Sequence, residues 1–180
     1  MKNKYKIYIF LSLVALVLVI YRHNIVNKNI PKEYVIDKYS MNDKINLDNI
    51  SLKINSFKVE QRNIDVDGDD NKEATLDVTI KNKGDTELNV SDIIESSKLS
   101  KGVYYQDYCN ASGDVKKIDR LPANDEMKLT LKYILYTRDL SNVDGNEEYR
   151  FYIGKSLYKK EIESNEKNSK LYGKYVSLGV

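Results

Sequence analysis

The amino-acid sequence predicts an all-β protein, an antiparallel sandwich preceded by one amino-terminal transmembrane helix. Three observations support this prediction: an uncharged apolar run near the amino terminus, strict alternation of apolar and polar residues in several later segments, and turn residues about every ten positions between them. Alternation with a period of two is typical of strands that bury one face and expose the other. Since no long amphipathic helix interrupts these segments, they favour an antiparallel sandwich.

The composition bounds the class of protein. The 180 residues suit one domain with an appendage and suffice to bury a core. With 29 basic and 27 acidic residues, the formal net charge is only +2, so the chain lacks the one-sign field that would attract nucleic acid. Cys109 is the single cysteine, which excludes an intramolecular disulfide and a cysteine-based metal cluster. Stability must therefore come from packing.

The amino-terminal segment divides into a basic part and an apolar part. Residues 1–6 contain three lysines, and residues 7–21 contain no charged side chain. We expect an uncleaved signal anchor at 7–21, because the chain beyond it shows no small-residue cleavage pattern and no cysteine for lipid attachment. By the positive-inside rule, residues 1–6 are then cytoplasmic. The prediction is a single-pass protein of the cell membrane, with everything after Arg22 outside the cytoplasm.

The remainder of the chain divides into a polar linker and a patterned domain. Residues 22–48 are polar and rich in asparagine, and we predict a juxtamembrane stalk there that ends in short extended pieces. The sandwich is expected over residues 49–180. Residues 50–59 alternate in two phases, which predicts a β-bulge near Asn55 and Ser56.

The predicted strands are separated by Gly, Asn, Asp or Pro, which favour turns. Residues 82–85 are one such turn, and residues 91–100 have room for one helical turn. The predicted strands, in chain order, are 50–59, 74–81, 87–90, 102–109, 114–118, 127–136, 148–153, 157–162 and 170–178.

Four segments in this order carry a resemblance: "INSFKVE", "DVTIKNKGDTELNVSD", "LPANDEMKLTLKYIL" and "EYRFYIG". Together they resemble the bacterial telokin-like, immunoglobulin-like extracytoplasmic domains of unknown function. The resemblance covers roughly residues 49–155, and it departs from the family at Ala123 and Asn124, where glycine usually follows Pro122. It implies an immunoglobulin-like sandwich behind a membrane anchor, in a family without an assigned catalytic site.

An acidic loop precedes the second predicted strand and has oxygen ligands of the kind that Ca²⁺ prefers. Asp65, Asp67 and Asp69 occupy alternate positions, and Glu73 takes the ninth position. The loop is not an EF-hand, because the glycine is displaced and the twelfth position is apolar. Two interpretations stay open: a calcium site formed by these four carboxylates, or a solvated hairpin loop whose residues favour turns.

Catalytic motifs are missing from the sequence. His23 is the only histidine and lies beside the apolar run, so histidine-based nucleophilic catalysis and zinc sites are out of reach. Neither a phosphate-binding glycine loop nor a zinc-protease motif occurs. We therefore predict that the protein is not an enzyme.

Tyrosine is the residue most able to contact a partner, since its rigid ring buries a large area at low entropic cost. The candidates on or near predicted strands are Tyr104, Tyr105, Tyr108, Tyr149, Tyr152, Tyr158, Tyr172 and Tyr175. They either fill the core or form an exposed contact surface. The sequence thus predicts a non-catalytic module that binds an envelope protein or a glycan, and the alternative is a structural or sensing calcium module that uses residues 65–73.

Overall fold

The chain begins with an exposed apolar helix, α1 (Lys2–Val26). Its segment Tyr5–Val26 is long and apolar enough to cross a membrane, since 22 residues of helix rise roughly 33 Å. The helix is longer than the predicted span at 7–21, because the flanking residues continue the same helical turns. The computed structural model describes residues 2–27, 30–62 and 71–180.

Ten strands follow in the described part of the chain and form two five-stranded sheets. The strands are β1 (Glu33–Ser40), β2 (Ile45–Asn46), β3 (Ile50–Gln61), β4 (Lys72–Asn82), β5 (Lys98–Lys101), β6 (Tyr104–Gln106), β7 (Asn110–Gly113), β8 (Glu126–Leu135), β9 (Tyr149–Tyr152) and β10 (Lys170–Gly179). Sheet A has the order β1-β10-β9-β5-β6, and sheet B has the order β2-β3-β4-β8-β7. The predicted β-sandwich is confirmed.

The description as all-β is not exact, because helices join the strands. They are α2 (Asp92–Glu95), α3 (Thr137–Leu140), α4 (Lys159–Lys167) and 3₁₀ turns at Val115–Lys117 and Lys155–Tyr158. The predicted helical turn within 91–100 is α2. Two predicted strands, 114–118 and 157–162, are wrong, since both segments are helical. Residues 159–167 consist mainly of lysine, glutamate and other polar residues, and several of these are good helix formers.

Sheet B follows from the alternation in the sequence. Leu76, Val78 and Ile80 of β4 point inward and are fully buried, and the inward residues of β8 cover them from the next strand. The register of β3 against β4 shifts between Ile54 and Ser56, which confirms the predicted bulge. The bulge lets both phases of β3 place apolar side chains on the core side.

The turn after β4 is closed by a buried asparagine. Asn82 Oδ1 accepts a hydrogen bond from the Gly84 amide at 2.8 Å, and Nδ2 donates to the Leu121 carbonyl at 3.1 Å. The predicted strand 87–90 is reduced to one bridge between Leu88 and Leu121. This loop is therefore held against the sandwich by the Asn82 side chain together with a few backbone hydrogen bonds, rather than by a continuous ladder.

The predicted stalk is wrong over its second half, because residues 33–48 belong to the sandwich. β1 pairs in parallel with β10, from Glu33 beside Lys170 to Ser40 beside Ser177, and β2 pairs with β3. The sandwich is therefore not purely antiparallel. An acidic residue, Asp37, points inward from β1, so the apolar alternation that would reveal the strand is interrupted.

Candidate binding site

The outer side of sheet A carries a row of aromatic rings. On β10 the residues Tyr172, Lys174 and Val176 are buried inward, so that Tyr175 and Ser177 point outward. The same alternation turns neighbouring tyrosines outward on the other strands. We call this side the tyrosine face, and its rings are those of Tyr34, Tyr105, Tyr152 and Tyr175.

Three rings of this face, those of Tyr105, Tyr152 and Tyr175, pack against one another in a line across the strands. The centroids of Tyr105 and Tyr152 lie 5.9 Å apart, and those of Tyr152 and Tyr175 lie 5.5 Å apart. Both distances are within the range of favourable ring pairs. Tyr34 and Tyr105 remain 58% and 54% exposed. The row is thus held in place by its own contacts while it leaves a broad aromatic surface to solvent.

Gly173 gives Tyr34 its place on this face. A Cβ atom at position 173 would lie 3.2 Å from Tyr34 Oη, closer than ordinary van der Waals contact. Gly173 pairs with the next outward position of β1, so the missing side chain leaves room for the Tyr34 ring beside it.

A pocket of about 540 Å³ opens at one end of the tyrosine face. Its volume is typical of small-ligand sites, which span about 300–1,000 Å³. One wall is formed by the tyrosines and the opposite wall by α2 and the 3₁₀ turn Lys155–Tyr158. The lining residues are Tyr34, Asp92, Ser96, Lys98, Tyr105, Tyr152, Ile153, Lys155, Ser156, Tyr158, Gly173 and Lys174.

Gly154 sets the distance between these two walls. A Cβ atom at this position would lie 2.0 Å from Ser96 Oγ, so any larger residue would push α2 away from the end of β9. Ser96 Oγ donates to the Asp92 carbonyl at 2.9 Å and lies 3.4 Å from Ser156 Oγ. The two serine hydroxyls therefore meet inside the pocket.

The charges in the middle of the tyrosine face neutralise one another. Glu148 accepts hydrogen bonds from Arg150 Nε at 2.8 Å, from Lys38 Nζ at 3.2 Å and from Ser177 Oγ at 2.5 Å. The Ser177 hydrogen bond, supported by the two cations, lowers the pKa of Glu148 to about 2. Arg150 also lies over the Tyr175 ring, 5.5 Å from its centroid.

The positive charges at the pocket are less well neutralised. Lys98 Nζ lies 3.7 Å from a carboxylate oxygen of Asp107, whose side chain is 66% exposed. Lys155 forms no hydrogen bond or ion pair with any described residue. Asp92 is the one carboxylate among the described lining residues. The pocket therefore combines aromatic rings and hydroxyls with two available cations.

A buried lysine on the inner side of β10 fixes the sheet behind the face. Lys174 is only 3% exposed, and its Nζ lies 2.9 Å from Glu161 of α4 and 3.4 Å from Asp37 of β1. Burial alone would lower the pKa of Lys174, but hydrogen bonds to Glu161, Tyr39 and neighbouring groups outweigh it and raise the pKa. One cation thus connects β1, β10 and α4.

Three tyrosine rings surround this cation. The centroids of Tyr39, Tyr158 and Tyr172 lie 5.4, 5.6 and 5.3 Å from Lys174 Nζ. Tyr158 Oη accepts from the Lys174 amide at 3.2 Å and donates to the Ile153 carbonyl at 3.3 Å. Burial raises the pKa of Tyr158 to about 12. These tyrosines are structural, and they are distinct from the outward rings.

The predicted calcium ligands lie mostly outside the described residues. This holds for Asp65, Asp67 and Asp69, while Glu73 lies on β4. Glu73 Oε1 accepts from Lys132 Nζ at 2.7 Å, so its carboxylate already has a cationic partner. Over 30–62 and 71–180 the structure shows no cluster of three metal-ligating side chains. Calcium binding stays a prediction.

Cys109 has a protected thiol. The residue is 7% exposed, its Sγ lies 3.9 Å from the Ile94 carbonyl, and burial raises the pKa of the thiol. A protonated and buried thiol reacts slowly, so we assign Cys109 a packing role.

The tyrosines named from the sequence divide between core and surface. The structure buries Tyr149, Tyr158 and Tyr172 and places Tyr105 on the tyrosine face. Tyr34 was missed because it belongs to the segment expected to be a stalk. Tyr34 shares the outward side of β1 with Ile36 and Lys38, but Asp37 on the inward side interrupts the apolar alternation that would have assigned this strand to the sandwich.

Comparisons with known proteins support the fold alone. No protein-family model matches the chain, and no curated protein matches it. The chain is similar in structure to an uncharacterised β-sandwich protein of Clostridium difficile, with a TM-score of 0.53 and 10% identity over 82% of this chain and 97% of that one. It also matches a protein of unknown function from Listeria monocytogenes, with a TM-score of 0.49 and 12% identity over 72% and 83%. The class is thus a β-sandwich preceded by an apolar helix.

Proposed function

We propose that the chain is a non-catalytic binding protein of the cell envelope, anchored in the membrane by α1, and that the tyrosine face of sheet A contacts its partner. The observation that carries this proposal is the packed row of Tyr105, Tyr152 and Tyr175 with Tyr34 on the same face, where Tyr34 and Tyr105 are more than half exposed. Aromatic rings that are held rigid and left in contact with water are typical of binding surfaces.

The state of the ionisable groups supports recognition rather than proton transfer. Burial, followed by the effect of Tyr152, raises the pKa of Tyr34 and of Tyr105. Both phenols therefore stay protonated at neutral pH and serve as hydrogen-bond donors. Glu148 stays ionised between its two cations, so it is an unsuitable general acid.

The position of the sandwich relative to α1 limits where the partner lies. Only residues 27–32 separate the end of α1 from Glu33, so this connection spans at most about 25 Å. The lysines of residues 1–6 favour a cytoplasmic amino terminus. We place the sandwich outside the cytoplasm, close to the membrane, as in the telokin-like, immunoglobulin-like class that the sequence resembles.

Retention on envelope material tests this proposal. The full-length chain in lipid nanodiscs is mixed with cell-wall fragments or with solubilised envelope proteins from the cells that produce it, and bound protein is measured after sedimentation or capture. The double variant Tyr105→Ala/Tyr152→Ala should lose about tenfold or more in affinity, since truncation of a central aromatic typically costs that much.

Tyr108→Ala provides the matched control, because Tyr108 is 69% exposed and belongs to neither the ring row nor the pocket. It should bind as the unmodified chain does. Equal retention of the double variant and the unmodified chain would contradict the proposal.

A further inference from the structure

We propose that the pocket at the end of the tyrosine face binds an acidic saccharide, whose sugar ring stacks on the tyrosines and whose carboxylate or phosphate group is bound by Lys155 and Lys98. This inference rests on the proposed function, since it names the ligand class of the same surface.

The shape of the pocket suits a ring with one apolar face and a polar edge. Tyr152 and Tyr105 offer flat ring surface, while the hydroxyls of Tyr34, Ser96 and Ser156 lie around it. A sugar ring has the same division between a face of C–H groups and an edge of hydroxyls. The hydroxyls of Tyr34 and Tyr105 donate to sugar oxygens. The Ser96 hydroxyl, which already donates to the Asp92 carbonyl, accepts, and the Ser156 hydroxyl donates or accepts.

The distribution of charge specifies an acidic ligand. In the middle of the face, Glu148 already binds Lys38 and Arg150, so these two cations are not available to a ligand. At the pocket, Lys155 has no partner among the described residues, and Lys98 has only the 3.7 Å contact with an exposed carboxylate. The available positive charge is therefore concentrated beside the stacking surface.

Asp92 does not cancel this preference. It is a single carboxylate in a described lining with three lysines, of which Lys174 is already paired with two carboxylates outside the pocket lining, Asp37 and Glu161. A carboxylate also accepts hydrogen bonds from sugar hydroxyls.

Gly154 lets α2 pack closely against the end of β9, and Gly173 leaves room for the Tyr34 ring, so both glycines shape the pocket. Its volume of about 540 Å³ accommodates a small ligand. A proline-rich peptide would also stack on tyrosines, but it would leave both lysines without a partner.

Titration calorimetry with defined oligosaccharides tests the inference. The full-length chain in nanodiscs is titrated with three oligomers of equal length and linkage: a neutral hexose oligomer, the corresponding uronic acid oligomer, and a phosphate-substituted oligomer. We expect at least one acidic oligomer to bind about tenfold or more tightly than the neutral one, because a charge-assisted hydrogen bond contributes about that factor. Comparison of the two acidic oligomers identifies which anionic group is preferred.

Variants assign this preference to the pocket. Lys98→Gln/Lys155→Gln should remove the preference for acid while weak binding of the neutral oligomer remains. Tyr152→Ala should weaken the binding of all three oligomers. Tyr152→Phe keeps the ring for stacking, so it should bind them more tightly than Tyr152→Ala does. Lys128→Gln on the outer side of sheet B is the matched control and should change nothing.

Several results would overturn the inference: equal affinity for neutral and acidic oligomers, an acid preference that survives the double lysine variant, or tighter binding of a proline-rich peptide at this site. If no oligomer binds but envelope retention still depends on Tyr105 and Tyr152, the ligand class is wrong and the proposed function stands. If retention is also independent of these tyrosines, both proposals fail.

Discussion

The outer sides of the two sheets differ in chemistry, although both sheets cover the same core. On sheet B the outward residues are hydroxyl-bearing or charged, and they satisfy one another: Asp77 accepts hydrogen bonds from Ser56 Oγ at 2.6 Å and from Thr130 Oγ1 at 2.7 Å. On sheet A the outward residues include four tyrosines, of which Tyr34 and Tyr105 are more than half exposed. Sheet B thus presents a polar surface whose groups satisfy one another, and sheet A presents the exposed aromatic rings on which the proposed function rests.

The two sheets also differ in how they are built. Sheet B has three long strands, β3, β4 and β8, and their pairing is interrupted only by the bulge between Ile54 and Ser56. Sheet A joins shorter strands from distant parts of the chain, and β1 reaches β10 across more than a hundred residues. Sheet B, with its long strands, therefore provides the framework. The candidate site lies on sheet A, which depends on specific side-chain contacts.

The largest expected difference between the two sheets is in the free energy of unfolding, and it concerns Lys174, the buried lysine of sheet A. Lys174→Met leaves Asp37 and Glu161 without their cation, which should lower the free energy of unfolding by about 2–3 kcal/mol. This is less than for a fully buried pair, because both carboxylates are partly exposed. Lys128→Met on sheet B should change it by about 0.5 kcal/mol or less. Urea denaturation of both variants measures the difference, and equal effects would contradict the assigned role of Lys174.

The next effect concerns the close contact at the pocket wall. Gly154→Ala should cost about 1–2 kcal/mol, because the added Cβ atom would meet Ser96 Oγ at 2.0 Å. Gly145→Ala is the control, since nothing lies within 4 Å of a Cβ atom there. Thermal unfolding should show a lower Tm for the first variant alone. An unchanged Tm for Gly154→Ala would mean that α2 is not held against β9.

A smaller effect is expected on the dependence of Tm on pH. It concerns one carboxylate on the outer side of each sheet, Glu148 on sheet A and Asp77 on sheet B. The folded-state pKa of Glu148 is lowered to about 2, so its stabilisation is fully present above its ordinary pKa of about 4.5 and is lost as the pH falls towards 2. Glu148→Gln removes this titrating group, so the Tm of the variant should fall less between pH 4.5 and pH 2 than the Tm of the unmodified chain.

Asp77 is the corresponding group on sheet B. The hydrogen bond from Ser56 lowers the pKa of Asp77, with Thr130 second. Asp77→Asn should reduce the fall of Tm at acid pH by less than Glu148→Gln does. Asp77 has only hydroxyl partners for its hydrogen bonds, whereas Glu148 has two cations and a hydroxyl. If the two substitutions changed the dependence of Tm on pH equally, the cations beside Glu148 would contribute nothing to the stability of the protein at acid pH.

The sequence allowed three strands of each sheet to be predicted, namely β3, β4 and β8 of sheet B and β6, β9 and β10 of sheet A. The strands at 74–81 and 127–136 and the bulge near Asn55 follow from alternation, because their inward residues are all apolar. β1 was predicted only as a short extended piece of the stalk and not as part of the sandwich, since its inward side includes Asp37, whose partner Lys174 is remote in sequence. The helix at 159–167 was read as a strand at its start because the preceding residues alternate.

For the candidate site, the sequence predicts the type of residue but not which residues form the site. Tyrosines were identified as contact residues, but which rings point outward depends on strand register, and the register of β1 depends on pairing with β10. The pocket depends further on Gly154 and Gly173, where the absence of a side chain is the essential feature. Neither glycine belongs to a motif, so no local pattern reveals its role.

The most direct test of the central claim is tyrosine footprinting of the full-length chain. Surface tyrosines are oxidatively labelled in the purified protein in nanodiscs and in native envelopes, and labelling is compared by mass spectrometry. If sheet A contacts the partner, Tyr34 and Tyr105 should be protected in envelopes, while Tyr108 is labelled equally in both preparations. Equal labelling of all three residues would contradict the claim that the tyrosine face is the binding surface.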